Sequence, residues 1–352
     1  MTDARYTRRQ RHAPTINDVA QAAGVSPMTV SRVINGEPVV RPATREKVEA
    51  AIEALNYAPS AAARALAGGD GMRVALLYSN PSASYLSEFL MGSLDQASRS
   101  GVDLVVEKWD DEGTIALVIA QLQRSRINGV VLPPPLCDLG DLVEALANAG
   151  IPAVAVATGR PSPDMAAVSI DDRLAAYDMT RHLIALGHSR IGFIRGNPNQ
   201  SASARRFEGY AAALGEAGMS VQDDLIAQGY FTYRSGLAAA ARILALRDPP
   251  TAIFASNDDM AAATMAIAHR TGLDVPGDLT VCGFDDTPLA TTIWPELTTI
   301  RQPVRDMSRA AMELLVRQLK GRRGVGSVPE RLVMDHALVR RQSDAPPRMD
   351  GR

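Results

Sequence analysis

Thr15-Ile16-Asn17-Asp18-Val19-Ala20-Gln21-Ala22-Ala23-Gly24-Val25-Ser26 opens the segment whose reading decides the architecture of the N-terminal part. Ile16, Val19, Ala20 and Ala23 recur at helical spacing and predict an amphipathic helix that Gly24 breaks. Ser26 then caps a second helix, with Pro27 at its first position, where a missing N–H costs nothing. That helix carries Val30, Val33 and Ile34 on one face, and Asn35-Gly36 stops it. A third helix is predicted from about Pro42 to Asn56, with Val48, Ala51, Ile52 and Leu55 inward, and Pro59 ends the unit. Ala22, Ala23 and Gly24 are small enough for the first two helices to approach closely, as a helix-turn-helix requires. Pro27, Met28, Thr29, Ser31, Arg32 and Asn35 remain for the outward face. Arg32 suits a guanine edge, to which it can donate two hydrogen bonds, and Thr29 and Ser31 suit phosphates. Taken singly, each is equally an ordinary solvated surface residue.

Beyond this head, Ser60–Gly69 is alanine-rich and stopped by glycines. It is too short for a stable isolated helix and is expected to be disordered unless something packs on it. From Arg73 the pattern changes. Strand-like runs at Val74–Tyr78, Val102–Val106, Gly129–Leu132 and Ala153–Val156 alternate with amphipathic helices, the first of them carrying Leu86, Phe89, Leu90, Leu94 and Ala97. A second set follows from about Asp172, with strands at Ile191–Ile194, Ala252–Ala255 and Leu279–Phe284. This alternation implies parallel sheets covered by helices, in two Rossmann-like halves. A late helix, Val304–Leu319, and a final strand, Arg331–Val339, cross back. The expected division is a head at 1–59, a hinge at 60–71 and a core at 72–340. Within the core, one subdomain takes about 72–170 and 303–330, and the other about 171–302 and 331–340. The Pro-, Asp- and Arg-rich tail, 341–352, is expected to be disordered.

Composition narrows the function. The chain has 352 residues, 46% apolar and 22% charged, which is the balance of a globular protein of two or three domains. Residues 1–68 hold nine Lys/Arg against six Asp/Glu, so a basic head joins an acidic body. No apolar run is long enough to span a membrane, and the arginine-rich N-terminus lacks a secretory signal, so a cytoplasmic location and no membrane partner are expected. Cys137 and Cys282 lie in apolar runs and read as buried free thiols. Two cysteines and five scattered histidines build neither a disulfide framework nor a metal site, so no cofactor and no metal are expected.

The head motifs together resemble the head of the LacI/GalR family nearly residue for residue. They are the opening segment, Thr29-Val30-Ser31-Arg32-Val33-Ile34-Asn35, Thr44-Arg45-Glu46-Lys47-Val48 and Leu55-Asn56-Tyr57-Ala58-Pro59. The resemblance extends to about Arg340 through Leu186-Gly187-His188, Arg206-Phe207-Glu208-Gly209-Tyr210, Ala255-Ser256-Asn257-Asp258, Gly283-Phe284-Asp285-Asp286 and Leu297-Thr298-Thr299-Ile300. It implies an all-α helix-turn-helix head on an α/β periplasmic-binding-protein-like core. It further implies a homodimer on a pseudo-palindromic double-stranded DNA operator, with operator affinity set by a small molecule bound between the subdomains. Thr15, Ser26 and Tyr57 join the DNA-contacting set, together with Ala63 and Leu66 of the hinge; the leucine would wedge into the minor groove. Arg206, Asn257, Asp285 and Gln302 match effector contacts, and their donor and acceptor capacity suits sugar hydroxyls. Phe231 stands where a ring stacks on the ligand, and Ser79 and Tyr85 are assigned to the opposite wall.

Some positions depart from the family. Pro27-Met28 replaces a more polar base-reading pair, which shifts recognition toward thymine methyls and DNA shape. Ala157 stands where some sugar-binding members have an aspartate. The C-terminus has no heptad repeat, so no tetramer is expected. Three other readings compete. A purine-type, co-repressor-dependent regulator would share every motif named. An exported sugar-binding protein would share only the core. An enzyme would need a nucleophile–base pair, metal cluster or phosphate loop, and none of these motifs occurs; Gly321, Gly324 and Gly326 follow a helix, the wrong context for a dinucleotide site.

Overall fold

A computed structural model describes residues 14–34, 39–55, 57, 71–79, 82–109, 114–321 and 329–348. Asn35, Ala63, Leu66 and the hinge at 60–70 lie outside the described residues. The chain divides into two compact units, Met1–Gly71 and Met72–Arg352.

The head is three helices, α1 (Ile16–Ala23), α2 (Pro27–Ile34) and α3 (Pro42–Ala54). Local chemistry sets their ends. The Thr15 hydroxyl accepts from Asp18 N at 3.4 Å, and the Asp18 carboxylate accepts from Thr15 N at 2.7 Å, closing a capping box. Gly24 stops α1 at a φ of 66°, a left-handed conformation open to glycine. Ser26 Oγ accepts from Thr29 N at 3.2 Å and caps α2. Val19, Ala20, Val30, Val33, Val48 and Ala51 are buried between the helices, and Tyr57 with them.

The core holds two six-stranded sheets. The first contains β1 (Arg73–Tyr78), β2 (Asp103–Lys108), β3 (Gly129–Leu132), β4 (Ala153–Val156), β5 (Ala166–Ile170) and β11 (Arg331–Met334), in the order β11-β5-β4-β3-β1-β2. The second contains β6 (Ile191–Arg195), β7 (Ile226–Gln228), β8 (Ala252–Ala255), β9 (Thr280–Asp285), β10 (Thr298–Arg301) and β12 (Ala337–Val339), in the order β12-β10-β9-β8-β6-β7. Every pairing is parallel except that of β10 with β12. Helices α4 (Ala83–Ser100), α5 (Ile115–Arg124), α6 (Gly140–Asn148) and α12 (Val304–Lys320) cover the first sheet. Helices α7 (Asp172–Ala185), α8 (Ser201–Glu216), α9 (Tyr233–Leu244) and α10 (Asp258–Arg270) cover the second, with the short α11 (Leu289–Thr292) after β9. Parallel strands covered on both faces read as unbroken apolar runs, and β3, β8 and β9 are buried at every position. At Gly92, where α4 crosses α12, a Cβ would lie 2.1 Å from Arg305 O, so glycine sets that close approach.

Two expectations need correction. The run 331–339 is two strands, not one. Arg331–Met334 pairs with β5 in the first sheet, so only the later part belongs to the second subdomain. The chain changes sheets at Asp335-His336, which alternation along one run cannot reveal. The tail is ordered through Arg348. Ser343 is fully buried; its Oγ donates to Val281 O at 2.6 Å and accepts from Thr298 N at 2.8 Å. The Asp344 carboxylate takes His182 Nε2 at 2.8 Å and Arg340 Nε at 3.1 Å. His188 bridges Thr251 Oγ1 and Ala345 O at 2.8 and 2.9 Å. The tail is polar because its partners are polar, so composition alone misreads it.

Candidate functional site

In the head, Ser26, Pro27, Met28 and Arg32 are exposed, and Thr29 and Ser31 are half-buried, all at the start of α2 or along it. Met28 is 65% exposed, an apolar side chain presented to solvent where a base-reading helix offers its edge. Ser26 Oγ and Thr29 Oγ1 lie 2.9 Å apart and share a hydrogen bond. Thr15 is exposed but committed to the α1 cap. Tyr57, at 7% exposure, packs into the head's apolar cluster with Val19, Val30, Val48 and Ala51.

In the core, the carboxyl ends of both sets of strands meet at one cleft, the usual ligand position in open parallel sheets. Ser82, Tyr85, Pro134, Ala157, Gln200, Ala202, Arg206, Phe231, Asn257, Asp285 and Gln302 line it, around about 360 Å³ counted out to its mouth. Six of the seven sequence-assigned effector residues are among them; Ser79 is not. Ser82, Pro134, Gln200 and Ala202 escape sequence reasoning, since their lining role depends on how three connections distant in sequence converge. Ala157 lines the cleft as an apolar group where an aspartate was the alternative.

Arg206 is the keystone. Its Nε donates to Asp172 Oδ1 at 2.8 Å, and one terminal nitrogen donates to Ser256 O at 2.6 Å and lies 3.6 Å from Asp285 Oδ1. Its guanidinium carbon stacks 3.6 Å over the Phe284 ring. A buried guanidinium needs this enclosure, because its charge is otherwise costly. Gln302 Nε2 donates to Asp285 Oδ1 at 2.6 Å. Burial pushes the Asp285 carboxyl up to about 7 against the opposing charge of Arg206. Asp258 and Asp259 are also raised, first by burial, and Asp172 likewise against Arg206.

Asn257 lines the cleft and is also held by the protein. Its Oδ1 caps α10 at Met260 N, 3.0 Å, and its Nδ2 donates to Phe231 O at 3.1 Å. Both ends are spent on the protein, and the residue fixes the Phe231 backbone. Phe231 sits at a φ of 60°, with Ala157, Asp285 and Asp286 also at positive φ, so four non-glycine residues in this conformation lie in or beside the cleft. Such strain persists where surrounding structure overrides it, and it clusters at ligand clamps. The Phe231 ring presses on Gly196, where a Cβ would fall 1.9 Å from it. Among the described residues, two buried polar atoms of the lining have no partner: Tyr85 OH and Gln302 Oε1. Buried polar atoms are seldom left so, and a hydroxylated ligand would satisfy both.

Among the described residues, no group of three or more His, Cys, Asp or Glu is placed to hold a metal ion, and no helix is long and apolar enough to cross a membrane.

A three-helix head of this kind and a two-sheet core closing on a polar cleft define a DNA-binding regulator with a ligand-sensing body. Comparison with known proteins places it further. Residues 15–60 match the model for bacterial regulatory proteins of the lacI family, and residues 180–343 match that for a periplasmic binding protein-like domain. Catabolite control protein A of Priestia megaterium is 34% identical over 331 residues, covering 94% of this chain and 98% of that protein. The HTH-type transcriptional repressor PurR of Photobacterium profundum is 34% identical over 333 residues, with the same coverage of 94% and 98%. Among solved structures, a CelR–cellobiose complex matches with a TM-score of 0.72 and 33% identity, covering 94% of this chain and all of that one. The lac repressor dimer bound to operator and an anti-inducer matches with a TM-score of 0.77 and 28% identity, covering 95% of this chain and all of that one. The chain belongs to the LacI/GalR family and is a DNA-binding transcriptional regulator.

Proposed function

We propose that this regulator is a cytoplasmic, homodimeric repressor with no catalytic activity, and that a small uncharged carbohydrate in the core cleft sets its affinity for a pseudo-palindromic operator. One observation carries the choice of effector: the lining leaves Tyr85 OH and Gln302 Oε1 unpartnered beside Asp285 and Arg206, a set of donors and acceptors that hydroxyls complement. Phe231 and Tyr85 supply the aromatic surface on which the apolar face of a sugar ring rests.

The charges oppose a phosphorylated ligand. Among the described lining residues Arg206 is the one cation, and its guanidinium already serves two buried carboxyl groups, Asp172 and Asp285. A phosphate would need cations this cleft does not offer.

A melting-temperature screen of the full chain against neutral sugars, sugar phosphates and nucleobases tests this reading. A neutral sugar that raises the midpoint supports it. Stabilisation by a nucleobase would replace it with the purine-type co-repressor reading. Stabilisation only by sugar phosphates would overturn the charge argument.

Two surfaces bear on the dimer. Met91 and Leu94 on α4 are half exposed, at 50% and 51%, and form the apolar face that a partner would cover. Met312 and Leu315 on α12 are fully buried within the same chain, so any contact of that helix with a second copy would use its other positions.

A further inference from the structure

Helix α8 lacks a cap of its own. Its N-cap residue, Gln200, makes no side-chain hydrogen bond to the first turn. The missing acceptor comes from the other subdomain. Asp138, in the loop after β3, accepts from Ser201 N at 2.8 Å through Oδ2 and from Ser201 Oγ at 2.8 Å through Oδ1. Thr158, after β4, donates to the same Oδ1 at 2.6 Å, and Gly159 N donates to Ser201 Oγ at 2.7 Å. A carboxylate at a helix N-terminus meets both unpaired N–H groups and the positive end of the helix dipole. The arrangement is mirrored across the cleft. Asp259, in the first turn of α10 of the second subdomain, accepts at 2.6 Å from Ser82, which is the N-cap of α4 in the first. Each subdomain therefore supplies a carboxylate to a helix start of the other. Gln200 and Ala202, the neighbours of Ser201, line the cleft, as does Ser82.

We infer that Asp138 and Ser201 form a latch that holds the two core subdomains together, with Asp259 and Ser82 as its counterpart. The latch closes the cleft through protein groups alone. It sets the fraction of molecules competent to hold a ligand, and apparent affinity scales with that fraction. This goes beyond the effector reading and stands or falls separately from it.

Ser201→Pro is the clean disabling change. Position 201 is the first of α8, where proline is favoured, and Gln200 is already extended at φ −110° and ψ 121°, as a residue before proline must be. The change removes both donors to Asp138 and leaves the helix its geometry. Asp138→Ala disables the latch from the other side. Spin labels at Gln123→Cys and Ala217→Cys, one exposed position on each subdomain, report the separation; the native Cys137 and Cys282 are buried. Labelled full-length chain is diluted with unlabelled chain so that only distances within one chain contribute. Without the substitutions a single short distance is expected. Either disabling change should raise the ratio of long to short distances at least ~10-fold, the loss expected for charge-assisted hydrogen bonds, while melting remains cooperative. If Asp138→Ala does not fold, Ser201→Pro decides. A folded Ser201→Pro chain with the parent distance distribution would overturn the latch.

Discussion

Arg206 lies 3.6 Å from Asp285, with both side chains about nineteen-twentieths buried, at 5% and 6% exposure. This pair joins α8 to the end of β9 and forms one wall of the cleft. It also sets the Asp285 carboxyl: burial raises it to about 7, and the Arg206 charge offsets that burial only in part.

Asp285→Ala should weaken the carbohydrate found by the screen by roughly 10- to 100-fold, or ~1–3 kcal/mol, because buried hydroxyls lose an acceptor. Titration calorimetry with and without operator measures this. The coupling must be reciprocal, so the operator should change sugar affinity by the factor that the sugar changes operator affinity. Unchanged sugar affinity in the variant would place the site elsewhere.

Stability should carry the Asp285 titration. Its folded value, about 7, is raised above the ordinary carboxyl value of 3.8 that it takes in the unfolded chain. The folded state holds the proton more tightly, so the contribution is full below the unfolded value and is lost as pH rises through about 7. Asp172, Asp258 and Asp259 act in the same direction, whereas Asp344, held low by His182, Thr298 and Arg340 despite its burial, acts in the opposite one at acid pH. Asp285→Asn should therefore flatten the fall of melting temperature between about pH 5 and pH 8. An unaltered slope would show that the other carboxyl groups dominate.

Arg32→Ala should weaken binding to the cognate operator by ~1–3 kcal/mol and spare binding to random DNA, since a bidentate guanine contact is lost. Fluorescence anisotropy on both DNAs at one salt concentration separates the cases. Equal weakening on the two would make Arg32 a phosphate contact.

Leu94→Asp should produce monomers without unfolding the core, because half of the side chain already meets solvent. Light scattering across a dilution series reads the mass, and circular dichroism checks the fold. A variant that stays dimeric at the same concentrations would place the interface on another face.

Deleting residues 341–352 should lower the melting temperature. Val281 and Thr298 lose the Ser343 hydroxyl, and each buried group left unpaired costs ~1–3 kcal/mol. Melting of the truncated chain unchanged from the parent would restore the reading of this segment as a dispensable tail.

Much is legible in the sequence alone, and the reasons are local. Ser26, Pro27 and Gly24 set helix ends within three or four residues of themselves, so the head follows from short-range chemistry. The core strands announce themselves as apolar runs between amphipathic helices. What escaped was weak or distant. Ala166–Ile170 is alanine-rich, and Ile226–Gln228 is three residues long, too little for a pattern to form. The split of Arg331–Val339 between two sheets leaves no mark on the run itself. The cleft position of Asn257 is legible in its motif, whereas its hydrogen bonds to Met260 N and Phe231 O are not, since identity does not say which partners an amide has already taken.

The sequence by itself determined the kind of molecule: a helix-turn-helix head, a doubly built α/β core and the family motifs that bring Arg206, Phe231 and Asp285 to one place. Periodicity, capping and glycine placement act over a few residues, and such signals survive in a linear string. The tertiary structure alone decided which groups face the cleft unpartnered, that Asp138 caps a helix of the opposite subdomain, and that Ser343 and Asp344 are buried. Those properties depend on contacts between residues tens to hundreds of positions apart. Whether a polar side chain is spent or available is set by what the rest of the chain brings against it.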